Sequence, residues 1–437
     1  MILPDTIRQC IAALEQSGYA AYAVGGCVRD AFLGLTPKDY DLCTSALPQE
    51  TEAVFCRCPL VLAGEKHGTV GVVTDCGVVE ITTFRTEGDY RDSRHPDWVQ
   101  FVPRVENDLA RRDYTINAMA FSPSRGLADP FRGREDLEKK VLRAVGDPRN
   151  RFREDPLRIL RGIRFAVRFH LNVDPETEQA MLEEAPLMEN LARERVYDEL
   201  CKLLPLVGAE DLIRFAPILA AVIPELGPMI GFDQRSPHHA YDLFTHTAHA
   251  VEGVPPELTL RWAALLHDVG KIPCFTTDET GRGHFYGHAE VGAELADGIL
   301  RRLKAPNVLR EDVVVLIRGH MARRLTKKSL RRLVSRMGFD MALSMLRLQE
   351  ADMGSKGTGE AEEENVFPQL YGLLEEIRQE DTCLSVKDLA VDGNDLLALG
   401  LTGKAVGDAL QSLLEQVLDE ALPNEKEALL SYLRKQD

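Results

Sequence analysis

Tyr22-Ala-Val-Gly-Gly-Cys-Val-Arg-Asp30, followed by Lys38-Asp-Tyr-Asp-Leu42, is the stretch from which the rest of the chain can be read. A short β-prone run enters a Gly-Gly turn and leaves it as a helix. Gly25 and Gly26 carry no Cβ, so a ligand can approach the free N–H groups of the helix start, where the dipole favours anions. That geometry suits a triphosphate, and Arg29 offers a planar fork for its oxygens. Asp39 and Asp41 stand two apart in an extended run, so their carboxylates share one face, roughly 7 Å apart along the backbone and able to converge on shared cations. Two Mg²⁺ ions held about 4 Å apart by such a pair would activate an attacking hydroxyl and stabilise a pyrophosphate leaving group. An Asp-x-Asp pair alone is weak, because aspartates are mostly solvated surface residues. The glycine-arginine turn upstream gives this pair its meaning.

Outward from that stretch, the pattern is mixed up to Val145, with a helix-like opening and short β-branched runs at Tyr22–Val24, Gly68–Val73 and Val78–Thr83. From Asn150 the apolar residues recur at threes and fours, as in Leu157, Leu160, Ile163 and Val167, and β-type runs nearly vanish. The expected fold class is therefore α+β: a mixed α/β head with a small antiparallel-rich sheet, then an essentially all-helical remainder. Met353–Glu364 (MGSKGTGEAEEE) has no periodicity and reads as an exposed linker. From Leu384 helical stretches alternate with turns at Gly393, Gly400, Gly403 and Gly407, the pattern of a small helical tail. The predicted division is 1–145 head, 146–235 helical neck, 236–355 a metal-binding helical domain and 365–437 tail.

The 437 residues are ordinary in composition, 44% hydrophobic and 28% charged, enough to bury several cores. The net charge of −17 argues against indiscriminate coating of nucleic acid, so any RNA contact needs a local basic patch. Nine scattered cysteines include no Cys-x-x-Cys pair, which points to reduced thiols. No stretch approaches the ~18 apolar residues of a membrane helix, and the N-terminus has no basic leader with an apolar run; the expectation is a cytoplasmic protein, a monomer or small homo-oligomer, without a membrane partner.

With these residues in view, the sequence resembles the DNA polymerase β-like nucleotidyltransferase superfamily, and within it the bacterial tRNA nucleotidyltransferases, the CCA-adding enzymes and their poly(A) polymerase relatives. Arg111-Arg-Asp-Tyr-Thr-Ile-Asn-Ala-Met119 looks like a second head motif of that family, with Arg112 facing the incoming nucleotide, and Asp129-Pro-Phe-Arg-Gly-Arg-Glu-Asp-Leu137 like the segment joining head to neck. Glu87–Pro96, and Arg91–His95 within it, resembles the flexible loop used before the terminal A is added. The resemblance implies template-independent addition of CCA to the 3′ end of tRNA from CTP and ATP, with Mg²⁺ at Asp39 and Asp41. Glu80 stands where related folds place a third carboxylate; an exposed strand glutamate explains it as simply.

Glu154-Asp-Pro-Leu-Arg-Ile-Leu-Arg-Gly-Ile-Arg164 places Asp155 at a helix start with Arg158, Arg161 and Arg164 following at threes, a polar stripe that on its own is most often a solvated face. The resemblance implies that Asp155 and Arg158 hydrogen-bond the base edge of CTP or ATP in place of a template. A carboxylate and a guanidinium together can tell an amino-bearing C or A from G or U. Arg161 and Arg164 are assigned to the nucleotide's phosphates or to the helix's own support. Glu194–Glu199 resembles a motif that braces this helix, and reads equally well as an ordinary charged surface.

A second constellation has the order H…HD…D: His246, His267-Asp268 and Asp352. Imidazole and carboxylate ligands suit a divalent transition metal, and His288 and His320 could add a second. The pattern looks like an HD phosphohydrolase domain, a fold associated with phosphatase and 2′,3′-cyclic phosphodiesterase activity. Arg323–Arg336 holds seven basic residues and no acid, either a phosphate-contacting patch or a helix face paired with glutamates elsewhere. The competing functional readings are an A-adding transferase, a poly(A) polymerase, and a metal-dependent phosphohydrolase whose head only senses nucleotides.

Overall fold

The computed structural model describes residues 2–87, 99–237, 239–321, 325–357, 366–380 and 383–435. It forms two compact units, Met1–Leu206 with Pro217–Pro224, and Val207–Ala216 with Glu225–Asp437.

The first unit begins with the helix Asp5–Gln16 and a seven-stranded sheet. Its strands are β1 (Ala21–Val24), β2 (Leu42–Thr44), β3 (Leu60–Val61), β4 (Thr69–Thr74), β5 (Gly77–Thr83), β6 (Ala120–Ser122) and β7 (Gly126–Ala128), in the spatial order β3-β4-β5-β2-β1-β6-β7. Every neighbouring pair is antiparallel except β2–β5, so the sheet is antiparallel-rich as expected. The hairpin β4–β5 alternates buried Val70, Val72, Val79 and Ile81 with outward residues, the period-two pattern of a sheet with one face on a core. A second core on the opposite face of the sheet, by register, gathers Tyr22, Val24, Cys43, Phe84, Leu109 and Ala120. Between β1 and β2 the chain makes the helix Gly26–Phe32, entered through Gly25 at φ 77°.

The helix Leu157–Phe169 follows the head in the same unit, and two close approaches lock it there. A Cβ on Gly162 would lie 2.0 Å from the Tyr114 hydroxyl oxygen, which donates to the Arg158 carbonyl at 2.7 Å. The all-helical expectation misses a two-residue parallel pairing of Val141–Leu142 with Asn172–Val173, too short to show periodicity. The expected loop at Arg91–His95 lies outside the described residues; the ribbon Arg85–Glu87/Val99–Phe101 flanks it.

Among the described residues, the regular structure of the second unit is helical apart from the short hairpin Thr276–Thr277/Gly283–His284. Met353–Lys356 departs from the linker expectation: the helix Phe339–Gly354 runs into it, Ser355 is buried, and the Lys356 carbonyl accepts from Ala240 N–H. The remainder, 358–364, is outside the described residues. From Leu384 on, the described residues form three α-helices, Gly393–Ala398, Lys404–Leu418 and Lys426–Arg434, around buried Leu396, Leu413, Leu414 and Leu429.

Candidate active site and metal centre

Strand register builds the carboxylate edge. Leu42 pairs with Ala23 on one side and with Ile81 on the other, and one residue earlier Asp41 accepts the Val24 N–H at 3.0 Å. The parallel register brings Glu80 beside Asp41, while Asp39 precedes it by one pleat, exposed. Asp41 is exposed too, and desolvation by the surrounding protein raises its carboxyl above its ordinary range; Glu80 and Asp39 add to the rise, and Arg112 opposes it. Among the described residues, the groups of three or more side chains with ligand atoms within 4.8 Å of one another lie elsewhere, so Glu80 does not close a tight three-carboxylate cluster with Asp39 and Asp41. An open, all-carboxylate edge suits a hard cation completed by water and phosphate oxygens.

Facing that edge is a cleft of about 460 Å³, lined by Gly25, Gly26, Asn117, Phe165, eight arginines and three aspartates. On a chain of net charge −17, eight arginines against three aspartates give this lining a local excess of basic side chains, the composition that an RNA or triphosphate ligand requires. The arginines are not interchangeable. Arg29 is 6% exposed, donating from Nε (2.8 Å) and Nη2 (2.6 Å) to Asp30 and from Nη1 to Asn117 (2.6 Å), with its guanidinium 4.5 Å from the Phe169 ring centroid. Its fork is therefore committed to the protein rather than free, as the sequence had suggested. Arg112 takes the forward place: a Cβ on Gly25 would lie 2.7 Å from its Nη1, and its buried Nε has no acceptor among the described residues. The buried Asp108 holds Arg111 (2.9 Å) and Arg112 (3.4 Å), and burial, which alone would raise its carboxyl, is outweighed by those two charges.

Asp155 and Arg158 both line the cleft but hold different partners. Asp155 Oδ2 accepts from Arg195 at 2.8 Å and its Oδ1 from Leu157 N–H at 3.2 Å; Arg158 donates to Glu154 at 2.7 Å. Arg161 is bound by Asp113 through Nε (3.0 Å) and Nη2 (2.8 Å), and Arg164 is paired with Glu199. Both line the cleft while paired to these acids. Arg195 and Glu199 show that Glu194–Glu199 braces the helix Leu157–Phe169 rather than forming a mere surface pattern. Asp113, Asn117 and Arg168 were not singled out in the sequence, although Asp113 and Asn117 lie inside a motif already quoted; Asn117 accepts from Arg29 and Asp113 from Arg161, 88 and 48 residues away, so no spacing announces those pairings.

In the second unit, His246 on Leu243–Gly253, His267 at the end of Leu258–Leu266, Asp268, and Asp352 on Phe339–Gly354 form one buried cluster, and Asp268, His288 and His320 a second. Asp268 joins them. Its Oδ2 is 3.2 Å from both His246 and His267 Nε2, and its Oδ1 is 3.6 Å from His288 and 3.8 Å from His320 Nε2. Asp352 lies 3.1 Å from His246. Each histidine turns Nδ1 to a backbone carbonyl, of Ser355 (3.2 Å), Ala264 (2.7 Å), Phe285 (2.8 Å) and Ile317 (2.6 Å), which leaves the Nε2 atoms to converge. That is the anchoring metal-ligating imidazoles show. A Cβ on Gly270 would sit 2.1 Å from the His288 carbonyl, so only glycine lets the Asp268 turn approach that helix start.

Burial alone would lower His267, yet Asp268 and Asp352 push it up to about 10; His320 is held down to about 4 by burial and by the neighbouring His267. Two buried carboxylates therefore demand positive charge, which a divalent cation would supply with the imidazoles neutral. The donor set fits such a cation.

Residues 21–143 match the family model of the poly(A) polymerase head domain, 170–214 that of an RNA- and SrmB-binding site of polymerase A, and 284–433 that of tRNA nucleotidyltransferase domain 2. The CCA-adding enzyme of Streptococcus suis is 32% identical over 437 residues, spanning 99% of this chain and 97% of its own. The chain belongs to the CCA-adding enzyme family. The CCA-adding enzyme of Geobacillus stearothermophilus is likewise 32% identical, over 97% of this chain and 95% of its own. The crystal structure of the Bacillus stearothermophilus CCA-adding enzyme in complex with CTP superposes with a TM-score of 0.74 at 28% identity, covering 100% of this chain and 98% of that one. The Thermotoga maritima CCA-adding enzyme complexed with tRNA shares the fold, with a TM-score of 0.63 at 20% identity, over 100% of this chain and 97% of that one. Membership in this nucleotidyltransferase family implies a divalent metal. No described helix is long and apolar enough to cross a membrane.

Proposed function

We propose that this protein adds C, C and A to the 3′ end of tRNA from CTP and ATP without a nucleic-acid template, with the sequence segments 1–145, 146–235, 236–355 and 365–437 as head, neck, HD-type and tail parts, working in the cytoplasm. The observation that carries the reading is the opposition, across one cleft, of the Asp41 edge and an arginine-rich wall that includes Asp155 and Arg158. Asp39 and Asp41, with Glu80 beside them, would hold Mg²⁺, which would supply Lewis acidity for the tRNA hydroxyl and the triphosphate. Arg112, with its orphaned Nε, binds the triphosphate, and Arg29 holds the Gly25 turn in shape through Asp30 and Asn117. The Asp155 carboxylate accepts from the amino group of C or A while Arg158 donates to the ring acceptor beside it. The 3′-oxygen attacks the α-phosphorus, its bond to the bridging oxygen breaks, and pyrophosphate leaves.

The test uses purified protein, Mg²⁺ and three tRNA transcripts ending before the tail, after C and after CC, with CTP and ATP supplied separately and together. Stepwise C, C, A addition that is lost in Asp39→Ala/Asp41→Ala supports the proposal. Addition of A to the CC-ending transcript alone would make it an A-adding enzyme, and long A tracts a poly(A) polymerase.

The histidine-aspartate cluster favours a second activity in the same chain, hydrolysis of a phosphoester at an HD-type site with divalent transition metals bound by His246, His267, Asp268 and Asp352, and by Asp268, His288 and His320. Lys271, 2.7 Å from Asp268 Oδ2, orients the carboxylate common to both groups. Metal analysis of the purified protein, and its loss in His267→Ala, tests this reading.

A further inference from the structure

The pocket over the histidine-aspartate cluster measures about 290 Å³ and is lined, beyond the ligand set, by Lys271, Lys356, His284, Phe285 and Tyr286. Lys271, whose amine is 2.7 Å from Asp268 Oδ2, and Lys356 line this pocket with the donor set. Tyr286 is the anomaly: a tyrosine 78% exposed at the rim. It does not sit on a slack loop. Its ring lies 5.4 Å from that of His284 with the planes 6° apart, and the hairpin before it is tied by Asp278, which accepts from Thr280 N–H (2.9 Å), Arg282 N–H (3.1 Å) and His284 Nε2 (2.9 Å). The hairpin is pressed onto the cluster's own scaffold. A Cβ on Gly283 would meet the Gln234 carbonyl at 2.2 Å, and the side chain of Gln234 holds Lys271 at 2.9 Å.

We propose that Tyr286, backed by His284, is a stacking platform for a nucleobase, so that this pocket selects a nucleoside phosphoester over a simple sugar or alkyl phosphate. The inference rests on the phosphoester-hydrolase reading of the cluster. The pocket volume is at the lower limit of small-molecule sites, enough for a phosphate and its sugar, so the base lies outward over the rim. A flat ring held in place with one face in solvent gives affinity for any base, because every base has a π-face. His284 behind it fixes the plane, so little side-chain freedom is lost on stacking.

The experiment compares adenosine 2′,3′-cyclic phosphate with the abasic 1-O-methylribose 2′,3′-cyclic phosphate as substrates of the full-length protein. In both, one water adds across one P–O bond, leaving a monoester and a free hydroxyl. Tyr286→Ala is expected to raise KM for the adenosine substrate roughly tenfold or more, from the loss of one stacking contact, with kcat and the abasic substrate nearly unchanged. Tyr286→Phe is expected to restore the wild-type KM. Equal loss on both substrates, or no loss on either, overturns the platform. A wild-type protein without bound metal or hydrolysis would instead refute the hydrolase reading. Photocrosslinking with 8-azidoadenosine 2′,3′-cyclic phosphate then decides the platform by itself: label on the peptide bearing Tyr286 supports it, and label confined to residues 21–206 overturns it.

Discussion

At the scale of single residues, the cleft depends on carboxylates that hold arginines in place. Burial raises the Asp113 carboxyl, but Arg161 and Asn117 more than reverse this and hold it well below the usual range. A group depressed in the folded state stabilises above its ordinary pKa of about 4, and that stability is lost as pH falls. Asp113→Asn is therefore expected to cost about 2–4 kcal/mol at pH 7, lessened by the solvent access of Arg161, with the gap from wild type narrowing below pH ~4 in denaturant titrations. Gly162 allows a second specific expectation. Gly→Ala inside a helix ordinarily stabilises by ~1 kcal/mol, but here the methyl would strike the Tyr114 hydroxyl at 2.0 Å and Met181 Cε at 2.4 Å. Gly162→Ala should lower the melting temperature by several degrees, through an overpacking cost of ~1–3 kcal/mol. It should also raise KM for CTP and ATP, since Tyr114 holds the carbonyl of Arg158.

At the scale of elements, the basic stretch after Leu325 reads differently in three dimensions. On the helix Lys327–Met337, Lys327 meets Glu376 (3.2 Å), Lys328 meets Asp419 (3.0 Å), Arg331 meets Glu380 (3.1 Å) and Arg332 meets Asp419 (2.6 Å). These charges fasten that helix to Phe367–Gln379 and to the end of Lys404–Leu418, so the reading as a phosphate patch gives way to the paired face; Arg323 and Arg324 lie outside the described residues. Charges already neutralised release few counterions from RNA. Lys328→Ala/Arg332→Ala should leave the slope of tRNA affinity against log salt within ~0.5, measured by filter binding from 50 to 200 mM salt. A slope change near 2 would return the helix to the RNA surface.

For the whole molecule, the carboxylate edge of Asp39 and Asp41 lies in one compact unit and both histidine-aspartate donor sets lie in the other. A cation that binds only folded protein stabilises by RT ln(1 + [M]/Kd), ~2.7 kcal/mol at a hundredfold excess over Kd. Stripping transition metal with a chelator, then restoring Mg²⁺, should lower the melting temperature while CCA addition continues. Asp268→Ala should remove the chelator effect and leave nucleotide addition within about twofold of wild type. Loss of addition in that variant would show the units to be coupled.

The motif Tyr22–Asp30 with Lys38–Leu42, the Arg111–Met119 segment and the order H…HD…D were legible in the sequence, as was the change from mixed to helical pattern near residue 150. These features are local: a strand–turn–helix junction needs its glycines in place, and period and spacing are written along the chain. What only the tertiary structure decided were pairings across long separations. Arg29 joins Asn117, Arg164 joins Glu199, Asp155 joins Arg195, and Ser355 joins His246. Glu80 stands beside Asp41 because β2 and β5 run parallel in one register, which neither segment shows alone. A side chain's role depends on which partner satisfies its hydrogen bonds once buried, and the chain writes its residues in order but chooses those partners only on folding.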